Sequence, residues 1–114
     1  MPTRVELDLF SGRPNPAWQL SADEAAAFSS RIAGLPAAEQ MPARDALGYR
    51  GILVFTHGEG APRSVKVRDG IVSVEQSGDV RSYRDTRQIE RWLLETGRVH
   101  GHGAIVDEVL KGLG

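Results

Sequence analysis

Residues 64–76, SVKVRDGIVSVEQ, decide the fold, because apolar and polar residues alternate on both sides of a single Asp-Gly pair. Alternation with a period of two is typical of a β-strand with one buried face. Asp-Gly favours the type I′ turn that joins the two strands of a hairpin. With a two-residue turn at Asp69 and Gly70, the four valines of the two arms share one face. The sequence therefore predicts an antiparallel hairpin over 64–68 and 71–76.

Further strands are predicted on both sides of this hairpin. Within residues 4–10, Val5, Leu7 and Leu9 alternate with Glu6 and Asp8, which indicates a half-buried strand. Residues 49–57 contain an uninterrupted apolar run, which favours a central strand covered on both faces. Residues 80–83 follow a second turn and are a further candidate. We therefore expect a small antiparallel or mixed sheet of about four strands.

Three helices are predicted, over residues 22–33, 86–96 and 103–111. Ser21 and Glu24 have the spacing of a capping box at the start of the first helix. Asp85 is expected to cap the second helix and Gly97 to end it. Because the strands are grouped in sequence and helices lie on either side of them, the pattern favours a single α+β domain over residues 1–114.

Composition narrows the class of protein. The chain has 14 basic and 15 acidic residues, a net charge of -1 and no cysteine. Near-balanced charge argues against nucleic acid as a partner, and the lack of cysteine is typical of a reducing compartment. Neither a signal peptide nor a run long enough to cross a bilayer is evident. We therefore expect a bacterial-type cytoplasmic protein with no membrane partner and no cofactor.

The most unusual segment is residues 10–20, FSGRPNPAWQL. Proline fixes its own φ and disfavours helical backbone in the residue before it, so RPNP is expected to be extended and semi-rigid. Such a loop would present Arg13 to an anion and Asn15 to an amide at low entropic cost, with Trp18 as an aromatic wall. Tyr49 and Arg50, which lie between two glycines, could form a partner wall. The alternative is that the loop is only a stiff connection to the first helix.

Catalytic residues are less clearly indicated. Asp8 and His57 are the candidates for a general base, with Arg13 as a clamp on an anionic substrate. Three histidines, His57, His100 and His102, are candidate ligands of an open zinc site. Their spacing is not that of a helical metal site, and we predict no metal.

The arginines of the second helix and its surroundings are a separate question. Arg87 and Arg91 share a helical face, and Arg91 can pair with Glu95 one turn later. An anion-binding patch is conceivable there. Acidic residues are interleaved, which favours a solvated face.

Three functional hypotheses remain open. The first is a small binding or accessory module that recognises a peptide, a protein or a small anionic ligand through the 10–20 loop. The second is a cofactor-independent enzyme that uses Asp8 or His57, and the third is a structural subunit that forms a homodimer.

Overall fold

The structure is a computed structural model that describes residues 3–9, 15–39, 50–56 and 63–113, and only the backbone of 112 and 113. Its elements in chain order are β1 (Thr3–Leu7), β2 (Ala17–Gln19), α1 (Ala22–Ile32), β3 (Ile52–Thr56), β4 (Arg63–Arg68), β5 (Ile71–Gln76), β6 (Asp79–Arg84), α2 (Ile89–Val99) and α3 (Gly103–Leu113). The prediction of an α+β fold with three helices is confirmed.

The strands form one six-stranded antiparallel sheet in the order β2-β1-β3-β4-β5-β6. The prediction of about four strands was too low. Strand β2 was not predicted, because it is only three residues long and is too short to show a pattern of alternating apolar and polar residues. This strand forms because Trp18 lies opposite Val5 and is buried with it. Strand β1 is also shorter than the predicted 4–10, since it ends at Leu7.

The hairpin that opened the sequence analysis is confirmed in its predicted register. Val67 lies opposite Val72, and Val65 lies opposite Val74. Asp69 and Gly70 have φ angles of 51° and 81°, as a type I′ turn requires. Ser77 and Gly78 repeat this geometry, with φ angles of 54° and 81°, and join β5 to β6.

One face of the sheet carries the hydrophobic core. The buried residues of all three helices join the same cluster as the inward side chains of the strands, so the helices lie on one face. The opposite face of β3 carries Leu53 and Phe55, which are half-buried. Strand β3 is central, as predicted.

Helix α1 has the predicted capping box. Glu24 N–H donates to Ser21 Oγ (3.1 Å), and Ser21 N–H donates to Glu24 Oε1 (2.8 Å). These two bonds satisfy backbone donors that would otherwise lack a partner at the helix start.

Helix α2 differs from the predicted 86–96 at both ends. Asp85 does cap it, but its carboxylate accepts from the N–H groups of Ile89 (2.8 Å) and Glu90 (3.2 Å), so the helix begins at Ile89. Gln88 precedes the helix with a left-handed φ of 52°. At the other end the helix continues through Gly97 to Val99. The expectation that Gly97 is a stop signal was therefore wrong.

Position 97 requires glycine because the ring of Trp18 lies against it. A Cβ at Gly97 would lie 2.6 Å from Trp18 Cη2 and 3.0 Å from Val106 Cγ2. The glycine thus allows α2 to sit close to β2 and α3.

Candidate functional site

The two ends of the 10–20 loop are held together by hydrogen bonds. Leu7 N–H donates to the carbonyl of Pro16 (2.9 Å), which extends the pairing of β1 with β2. Leu9 N–H donates to the side-chain oxygen of Asn15 (3.1 Å). Asn15 therefore contacts local backbone. Arg13 lies outside the described residues.

Asp8 and Arg50 lock the end of β1 to the start of β3. Arg50 N–H donates to the Asp8 carbonyl (2.7 Å), and Asp8 N–H donates to the carbonyl of Gly51 (3.0 Å). The Arg50 guanidinium adds two bonds to Asp8 Oδ1, from Nε (3.2 Å) and from Nη2 (3.0 Å). Both side chains are mostly buried, with 20% of Asp8 and 22% of Arg50 exposed.

Lys66 reaches the other oxygen of the same carboxylate. Its Nζ lies 3.9 Å from Asp8 Oδ2. Lys66 alternates along β4 with buried Val65 and Val67, so it points to the face opposite the helices. We define the Asp8 cluster as Asp8, Arg50 and Lys66. Each oxygen of its carboxylate therefore lies beside a cation.

Gly51 permits the close approach of strands β3 and β4 beside the Asp8 cluster. Its φ is +123°, a backbone conformation that residues other than glycine rarely adopt. A Cβ there would lie 3.1 Å from the carbonyl oxygen of Val67 and 3.2 Å from Cβ of Arg68.

Trp18 is placed away from the Asp8 cluster, on the helix-bearing face of the sheet. Only 6% of the residue is exposed. Its indole Nε1 donates to Thr96 Oγ1 (3.0 Å), so the polar end of the ring is satisfied inside the protein. Trp18 also lines a shallow cleft of about 260 Å³, together with Arg4, Ala17 and Gln19. The structure therefore brings Asp8, Asn15 and Arg50 to one end of the sheet and separates Trp18 from them.

The two described histidines have different partners. His100 Nε2 lies 2.8 Å from Glu24 Oε1, and the ring of His102 lies 5.2 Å from that of Trp18. In the described ranges no three side chains of His, Asp or Glu are grouped as a metal site would need. His57 and Tyr49 lie outside the described residues.

Glu24 has a pKa below its ordinary value. Burial raises this pKa, but the hydrogen bonds from His100 and from Ser21 N–H outweigh the burial and lower it. The His100–Glu24 contact links the start of α1 to the end of α2.

The ion pair predicted between Arg91 and Glu95 does not form. Glu95 accepts from Arg98 Nε (3.2 Å), and Asp107 of α3 accepts from Arg98 Nη2 (2.6 Å). The hydrogen bond from Arg98 lowers the pKa of Asp107, and the hydrogen bonds to Asp107 and Glu95 raise the pKa of Arg98. Arg91 is left facing a different part of the surface.

Sequence reasoning missed Lys66, which reaches Asp8 only through the pairing of β4 with β3. The alternation around Lys66 was visible, but its neighbour across the sheet was not. It also missed Arg31, which comes from α1 and lies beside Arg87 and Arg91 of the region around α2.

Comparisons with protein-family models, curated proteins and solved structures found no match to this chain. Within the described residues, no helix has the length and apolar character to span a membrane.

Proposed function

We propose that the protein is a small binding module that recognises a peptide, a protein or a small anionic ligand through the 10–20 loop. The observation that carries this proposal is the fixed base of the loop. Two hydrogen bonds, from the N–H groups of Leu7 and Leu9, hold the residues before the loop to Pro16 and Asn15 within it. A loop with a fixed base loses little conformational entropy when it binds, so more of the contact energy appears as affinity.

The charge beside the loop supports an anionic ligand. Arg50 and Lys66 both approach Asp8, so the Asp8 cluster has one more positive than negative charge. Asp8 positions the Arg50 guanidinium through its Oδ1. This arrangement favours binding over base catalysis, since the carboxylate already serves the two cations.

The test compares wild-type protein with Arg13→Ala and with the matched control Arg81→Ala. Arg81 lies on β6, the edge strand farthest from β2, and its side chain is 73% exposed. Its replacement by alanine changes the net charge by the same amount as Arg13→Ala does. Each immobilised full-length variant is exposed to extract from the source organism, and captured molecules are identified by mass spectrometry. Thermal unfolding of each variant is measured in parallel.

We expect Arg13→Ala to abolish capture of a specific partner and to leave the melting temperature nearly unchanged. Arg81→Ala should retain capture. A parallel loss of stability and capture in Arg13→Ala would show that the loop is structural and would refute the proposal. Equal capture by all three proteins would refute it as well.

A further inference from the structure

A second concave surface lies where the last turn of α1 meets the start of α2. This cleft has a volume of about 430 Å³. We define it as the arginine cleft by its lining residues, which are Arg31, Arg87, Gln88, Arg91 and Trp92. It lies on the helical side of the molecule, away from the Asp8 cluster. The volume is in the range of sites that hold small molecules, about 300–1,000 Å³.

Arg87 is held in place by the end of α1. Its Nη1 donates to the carbonyls of Ser30 (2.9 Å), Arg31 (3.0 Å) and Ala33 (2.9 Å), which are C-terminal carbonyls that the helix itself cannot satisfy. No described residue accepts from its Nε or Nη2. The guanidinium is therefore fixed by one nitrogen and keeps the donors of the other two.

Arg31 is held in the same way from the other side. Its Nη1 donates to the carbonyl of Arg87 (3.2 Å). Its guanidinium carbon lies 4.8 Å from the centre of the Trp92 ring, within the range of a cation–π contact. Two cations are thus brought together by protein contacts alone, which removes part of the entropic cost of fixing them around a ligand.

The charge in the arginine cleft is not neutralised by neighbouring carboxylates. No acidic side chain of the described residues forms an ion pair with Arg31, Arg87 or Arg91, whereas Arg50, Arg81 and Arg98 each have such a partner. Asp85, two residues before Arg87, accepts from backbone N–H groups at the start of α2. Glu90, which directly precedes Arg91, accepts from Asp69 N–H (3.2 Å). The carboxylates that are interleaved with these arginines in the sequence therefore accept hydrogen bonds from other groups.

The backbone at the cleft is strained. Gln88 has a left-handed φ of 52° and makes no side-chain capping bond. A residue other than glycine in this region is uncommon and is found preferentially at functional sites. Gln88 lies between Arg87, which reaches the end of α1, and Arg91 and Trp92, which line the cleft.

We propose that the arginine cleft binds a small organic phosphate or carboxylate whose anionic group is attached to a flat apolar ring. Guanidinium groups present paired N–H donors that match the oxygens of both anions. Arg87 and Arg91 contact the anionic group, and Trp92 supplies an apolar wall for the ring. This site is independent of the 10–20 loop, so it goes beyond the function proposed above.

The test is isothermal titration calorimetry of the full chain with phenyl phosphate, benzoate, inorganic phosphate and benzyl alcohol. We expect saturable one-to-one binding of phenyl phosphate or benzoate with a Kd below about 1 mM. The stronger of the two identifies whether the site prefers phosphate or carboxylate. Benzyl alcohol, which has the ring without the charge, should give no saturable heat.

Arg91→Gln should weaken this binding at least about tenfold, because a charge-assisted bond contributes that much. Arg91 is exposed and makes no described ion pair, so the variant is expected to fold normally. Arg81→Gln is the matched control for charge and should bind as wild type does. Arg13→Ala should also bind normally, which separates this proposal from that of the 10–20 loop.

The two tryptophans give an independent measurement. In an NMR titration with the bound anion, the indole resonance of Trp92 should move and that of buried Trp18 should stay in place. The absence of saturable binding by either aromatic anion would overturn the proposal, and so would equal weakening by Arg81→Gln and Arg91→Gln. If inorganic phosphate bound as tightly as phenyl phosphate, the role of Trp92 would be wrong.

Discussion

Replacement of Gly97 by alanine tests the way in which α2 packs on the sheet. In an ordinary helix this substitution is stabilising by about 1 kcal/mol, because alanine has the higher helix propensity. Here we expect the opposite sign. The new Cβ would lie 2.6 Å from Trp18 Cη2 and 2.7 Å from Trp18 Cζ2, which is closer than van der Waals contact allows.

The magnitude follows from two opposing effects. Overpacking a well-packed core costs about 1–3 kcal/mol. Trp18 cannot move away freely, since Thr96 holds its Nε1 at 3.0 Å and Val106 crowds the same space. With a value of about 2 kcal/mol for the overlap and about 1 kcal/mol recovered from propensity, Gly97→Ala should lose about 1 kcal/mol. For a domain of this size that corresponds to a decrease in Tm of about 4 °C.

The test measures the free energy of unfolding in urea for four proteins: wild type, Gly97→Ala, Trp18→Phe and the double variant. Phenylalanine lacks the outer ring atoms that meet the new Cβ. Gly97→Ala should therefore become neutral or stabilising when it is made in the Trp18→Phe background, with a coupling energy of about 1–2 kcal/mol. Gly103→Ala is the matched control, because a Cβ at this helical glycine would meet Arg98 Cγ at an ordinary 3.7 Å.

The predicted clash between Trp18 and a side chain at position 97 is refuted if Gly97→Ala stabilises the wild-type protein as much as Gly103→Ala does. It is also refuted if the effect of Gly97→Ala is unchanged in the Trp18→Phe background. Either result would mean that the indole does not rest on Gly97.

Two further predictions concern the β4–β5 turn and the contact between α1 and α2. Gly70→Ala should destabilise the protein by about 1 kcal/mol through backbone strain, because its φ is +81° and a Cβ there would meet no atom within 4 Å; thermal unfolding measures this, and an unchanged Tm would contradict the type I′ turn. The pKa of Glu24 lies below its usual 4.5 in the folded protein, so its stabilising effect is present above that pH and is lost as the pH falls through the folded pKa. Glu24→Gln should therefore flatten the loss of stability that occurs as the pH falls below about 4.5, measured by urea unfolding, and an identical pH profile in both proteins would argue against the His100–Glu24 contact.

The candidate sites show how far residue patterns reach. The sequence identified Asp8, Asn15 and Arg50 as neighbours of interest, and the structure places them together at one end of the sheet. The described partner of Asp8 is Arg50, which lies 42 residues further along the chain. Trp18 was a candidate aromatic wall because it follows the semi-rigid RPNP segment. Its actual neighbour, Thr96, lies 78 residues away and could not be predicted from that segment.

Features whose interacting groups lie within a few residues of each other could be predicted from the sequence. The Asp69-Gly70 turn depends on two φ angles and on the alternation next to them, and the Ser21–Glu24 box is closed by atoms one helical turn apart. Both were predicted correctly, because the backbone conformation and the donor groups are set locally.

Features that depend on how the helices pack on the sheet could not be predicted from the sequence and became visible only in the tertiary structure. Gly97 has the pattern of a helix stop, and it is instead the point where α2 meets Trp18. Arg31 has the pattern of a solvated helical residue, and it is brought to Arg87 and Trp92 by the packing of α1 against α2. The physical reason is the same in both cases. Contacts between elements are set by packing across the core, and the spacing of residues within one element does not determine them.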